Sequence, residues 1–125
     1  MSSFSLDISK FNDKVKAAGK AGVKKICLEV MTGVILKTPR DTGRAQSNWF
    51  PSVGSPATDT TENTVSTAGG VIARNLPSLD QAYGNIWYLS NNLPYIERLE
   101  YGYSRQAPSG MVRLTIDEVK RNYRP

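Results

Sequence analysis

Apolar residues recur at three- and four-residue steps through the first third of the chain. Phe11, Val15, Ala18, Val23, Ile26, Val30 and Val34 make one stripe, and Lys10, Lys14, Lys20, Lys24 and Lys25 gather on the opposite arc. This pattern predicts an amphipathic helix with Asp7 as its N-cap, so that residues 1–37 form an N-terminal helical region. Unbroken, the helix would run about 45 Å at about 1.5 Å per residue, although Gly19 and Gly22 weaken it and mark a bend or a close contact. Pro39 cannot continue the helix and turns Thr38 away from helical angles, which sets the end at Lys37 or Thr38.

Beyond that stop the periodicity changes. Arg40-Asp41-Thr42-Gly43 reads as a turn in which the Asp41 carboxylate accepts from backbone amides and Gly43 takes a positive φ. Gln46, Asn48 and Phe50 alternate with Ser47 and Trp49, a short strand that buries Trp49. Residues 51–70 are rich in Ser, Thr, Gly and Pro and read as an extended loop or an edge hairpin. Val71 to Leu79 fits a short helix or a strand equally, because Pro77 limits both. Asn85 to Ser90 is the best strand in the chain, ended by Asn91-Asn92. Pro94 then opens a short helix through Tyr95–Glu100, stopped by Gly102. After a loop to Ser109, Met111, Val112, Leu114, Ile116 and Val119 predict a final helix to Tyr123, with Asp117 and Lys120 or Arg121 as exposed partners. The expected fold is α+β: a long N-terminal helix, a small mainly antiparallel sheet, a short helix and a C-terminal helix.

Composition changes this picture little. A chain of 125 residues, 39% hydrophobic and 22% charged, is enough for one folded domain and one core. The single cysteine, Cys27, lies among Ile26, Val30 and Met31 and reads as a core residue, with no second thiol to pair with. The N-terminal residues lack the basic start and apolar run of a signal peptide, and no apolar stretch approaches a membrane span, so synthesis in the cytoplasm and no membrane partner are expected.

Charge is more informative in its distribution than in its net value of +5. Residues 1–37 carry seven Lys against Asp7, Asp13 and Glu29, residues 38–104 carry four Arg against six acids, and residues 105–125 are again basic. Basic ends around an acidic middle suit charge-complementary packing between copies of the chain, or approach to a polyanion such as DNA. A solvated helix face accounts for the same lysines without either.

Catalysis finds little support. The absence of histidine excludes the common Ser-His-Asp and Cys-His arrangements and ordinary zinc sites, and neither phosphate-loop spacing occurs. Glu97 and Glu100 sit three apart on one expected helix face, without a second carboxylate pair. The reading is therefore of a non-enzyme that needs no cofactor and no metal. Trp87, Tyr88, Tyr95, Tyr101 and Tyr103, interspersed with Arg98 and Arg105, read first as core packing, second as a subunit contact and third as a stacking platform for nucleic acid.

Two segments carry a resemblance. Thr38-Pro39-Arg40-Asp41-Thr42-Gly43-Arg44, leading into Ser47-Asn48-Trp49, and the stretch from Ile86 to Gly102, with Asn91-Asn92-Leu93-Pro94-Tyr95 and Glu100-Tyr101-Gly102, resemble the signature of small structural proteins in the neck and tail of long-tailed bacteriophages. In that family a long N-terminal helix precedes a TP-x-DTG turn, a strand with Trp and an N-x-x-PY-x-x-x-x-E-x-G stretch; Ala107 to Arg113 also resembles its C-terminal part. The resemblance implies a virion protein that forms a ring, commonly a hexamer, completing the tail and joining it to the head connector. Its implied partners are copies of itself, the connector or head-completion protein, and tail-tube or terminator proteins. It places Arg40, Asp41, Thr42 and Gly43 at a subunit junction or shape-determining turn, and Tyr95, Glu97, Glu100 and Gly102 near an intersubunit face. Lys20, Lys24 and Lys25 become candidates for weak contact with DNA in the channel. A tail terminator is the nearest variant of this reading, and a small basic nucleic-acid-binding module is the alternative from another class.

Overall fold

The computed structural model describes residues 4–7, 19–39, 43–62, 67–101 and 110–122. The expected α+β architecture is present. A long helix α1 (Gly19–Lys37) is followed by a single-turn helix α2 (Arg44–Ser47), strand β2 (Phe50–Val53) and helix α3 (Ala68–Asn75). A 3-10 helix (Leu76–Gln81), the central strand β3 (Trp87–Asn91), helix α4 (Ile96–Glu100) and helix α5 (Val112–Asn122) complete the order after an N-terminal strand β1 (Phe4–Asp7).

β1 corrects the sequence reading, which placed residues 1–37 in a helical region with Asp7 as its cap. Phe4 and Leu6 alternate with Ser5 and Asp7, a period of two that the longer helical stripe obscured. β3 offers hydrogen-bonding groups on both edges, and β1 takes one of them in antiparallel register, Leu6 opposite Leu89 and Asp7 opposite Tyr88. β2 takes the other, with Phe50 opposite Ser90, Pro51 opposite Leu89 and Val53 opposite Trp87, giving the order β1-β3-β2. The expected residues of the helical stripe before Gly19 lie outside the described residues.

The stripe from Val23 onward behaves as its spacing requires. Val23, Ile26, Cys27, Val30, Met31, Val34 and Ile35 are buried on α1, which packs on α3, the 3-10 helix and α5. Trp49, Trp87, Leu89, Leu93, Ile96 and Met111 close the core around them. α1 and α5 approach closely where a Cβ on Gly33 would stand 2.6 Å from Thr115 Cγ2. Cys27 is fully buried, and that burial pushes its thiol pKa up to about 12.

One further expectation changes and two are made specific. Gln46–Ser47 belong to a helical turn rather than a strand, because the Ser47 amide donates to the Gly43 carbonyl (3.0 Å) and the strand starts only at Phe50. Trp49 is nonetheless fully buried. Of residues 51–70, expected as an extended loop or an edge hairpin, the start belongs to edge strand β2, 54–62 form a loop, 63–66 lie outside the described residues, and Thr67 caps α3 by accepting from the Gly70 amide (3.0 Å). The undecided stretch from Val71 is helical, and it tightens to 3-10 geometry where Pro77 falls in its first turn.

Candidate interaction site

The two sequence segments singled out above meet in space, and polar side chains join them. At the end of α1 the helix leaves carbonyls that need donors. The Thr38 amide reaches Val34 O (3.1 Å) and Ile35 O (3.2 Å), and the Gln46 amide Nε2 donates to Ile35 O and Thr38 O, both at 3.2 Å. The Thr38 hydroxyl donates to Val34 O (2.7 Å) and accepts from Trp49 Nε1 (2.9 Å). Thr38, Gln46 and Trp49 are all buried, so these bonds satisfy groups that water cannot reach.

From the second segment, Asn91 Nδ2 donates to Ala45 O (3.0 Å), while its Oδ1 accepts from the Leu93 amide (3.2 Å). Asn75 Nδ2 donates to Trp49 O (3.2 Å) from the end of α3, and Arg74 reaches Ser47 O (3.0 Å) with its guanidinium 5.5 Å from the Phe50 ring centre. Thr38, Gln46 and Trp49 thus form one buried frame, and Asn91 ties the adjoining Ala45 to the central strand.

Glu100 makes the second frame. It is the last residue of α4, its side chain is fully buried, and its carboxylate faces the start of α5. Oε1 accepts from the Met111 amide (2.9 Å) and the Val112 amide (2.8 Å), and Oε2 accepts from the Arg113 amide (2.9 Å) and Arg113 Nε (3.2 Å). A carboxylate held by first-turn amides fills the role of an N-cap from a distant residue and meets the positive end of the helix. Gly110 is required beside it: at φ +80° a Cβ there would stand 2.3 Å from Glu100 O and 2.9 Å from Oε2. Arg113 also places its guanidinium 5.3 Å from the Tyr101 ring centre.

This arrangement divides the residues that the sequence grouped together. Glu100 turns inward while Glu97 is exposed, so the two carboxylates do not share a face, and Glu100 serves the fold of its own chain. Tyr95 is 37% exposed beside Glu97, and Tyr101 is 61% exposed. Gly43 has the expected positive φ, +88°, and is buried. Arg40, Asp41, Thr42 and Gly102 lie outside the described residues. Lys20, Lys24 and Lys25 are exposed on α1; Lys24 pairs with Asp80 at 2.6 Å. That hydrogen bond and charge, with Lys20 adding to the field, lower the Asp80 pKa. Within α5, Arg121 Nε donates to the Asp117 backbone carbonyl (3.3 Å) rather than to its side chain.

The asparagines and Gln46 were missed as organising residues. Their one sequence signal is density: Gln46, Asn48, Asn91 and Asn92 flank the two tryptophan-bearing segments, and amides carrying both donors and an acceptor suit the pairing of buried backbone groups. Arg113 and Gly110 lay inside the Ala107–Arg113 stretch without a role assigned to them individually. Chemically the assembled groups hold backbone in place and offer no nucleophile with a base beside it. Among the described residues no group of three or more His, Cys, Asp or Glu is placed to hold a metal ion, and no helix is long and apolar enough to cross a membrane. No protein-family description, curated protein or solved structure matches this chain.

Proposed function

We propose that this chain is a non-enzymatic structural subunit of a ring, hexameric by analogy, in the neck or upper tail of a long-tailed bacteriophage. It completes the tail and joins it to the head connector. The observation that carries the reading is the joint presence of the TP-x-DTG and N-x-x-PY-x-x-x-x-E-x-G segments. Their interlocking supports it: Asn91 binds Ala45 O, so the two segments act as one unit rather than as two coincidental turns. A frame of buried amides suits a part whose work is to hold shape under load from neighbours.

Function in such a subunit lies in its surfaces. Tyr95 and Glu97, exposed at the start of α4, are the residues assigned to a neighbouring copy; Glu100 is withdrawn from that set because its carboxylate is consumed by α5. A repeated heterologous contact of this kind closes into a ring, and opposite charges along its two edges favour closure. Lys20 and Lys25 are left for weak, salt-sensitive contact with DNA, since Asp80 offsets the charge of Lys24.

Electron microscopy of particles from a phage lacking the gene, with the gene supplied in trans as control, tests the proposal. Separate DNA-filled heads and tails of normal length are expected. Abnormally long tails would assign the terminator role instead, and intact infectious virions would overturn the neck assignment.

A further inference from the structure

We draw no further inference here: the strongest candidate, the groove between α1 and α5 lined by Leu28, Glu29, Gly33, Thr115, Glu118 and Val119, carries none, because Glu118 is already paired with Lys37 (2.9 Å) and nothing in the structure shows what covers the apolar remainder.

Discussion

Replacing Glu100 by Ala removes the acceptor for three backbone amides and one guanidinium N–H at the start of α5. Met111 and Val112 are buried, so their amides find no water in exchange. Each buried donor left without a partner costs about 1–3 kcal/mol. The Arg113 amide is only partly buried and its side chain is half exposed, so both recover most of their solvation. The loss expected for Glu100→Ala is therefore about 3–5 kcal/mol, a large share of the roughly 5–15 kcal/mol that holds a domain together. For a chain of this length that lowers Tm by about 10–20 °C. Glu100→Gln keeps one accepting oxygen for Met111 and Val112 but sets an NH2 against the Arg113 donors, and should lie between the two. Urea unfolding followed by circular dichroism measures the loss, and amide exchange at Met111, Val112 and Arg113 locates it. A Glu100→Ala protein within about 1 kcal/mol of the parent, with those amides still protected, would refute the argument that the carboxylate holds α5.

Two further outcomes follow from buried groups. Thr38→Val keeps volume but removes the buried bonds to Trp49 Nε1 and Val34 O; a loss of about 1–3 kcal/mol is expected with a changed Trp fluorescence maximum, and an unchanged stability would show the hydroxyl to be dispensable. Cys27 should resist a disulfide reagent at pH 8 in the native state and react in urea. Because its folded pKa lies above the unfolded one, its contribution to stability is complete below about pH 9 and is lost as pH rises toward 12, which alkaline unfolding of Cys27→Ala against the parent would reveal.

Much of this fold was legible because it rests on local rules. The stripe Val23, Ile26, Val30 and Val34, the stop at Pro39, the aromatic strand at Trp87 and the helix after Pro94 all follow from spacing and from the limits proline sets. What escaped depends on partners distant in sequence. β1 exists because β3 had a free edge 80-odd residues away, and a four-residue alternation cannot announce that. The helical turn at Arg44–Ser47 forms where Gln46 is drawn back to the carbonyls of α1, against its apparent alternation. For the site, Tyr95 and Glu97 are exposed, whereas Glu100, which looked like their companion, is buried. A glutamate at that spacing reads as solvated until the start of another helix is brought against it.

Pro51 has a consequence for behaviour at high concentration. The amide of Gly54 bonds inward to Ile86, so by the alternation of an antiparallel pair Phe50 and Ser52 also face β3, and Pro51 and Val53 turn their backbones away from it. Of those two outward positions, proline has no N–H to offer. A strand approaching along β2 would find only the single donor of Val53, too little to extend the sheet. Copies of this protein can therefore crowd together without zipping into fibres along that side of the sheet.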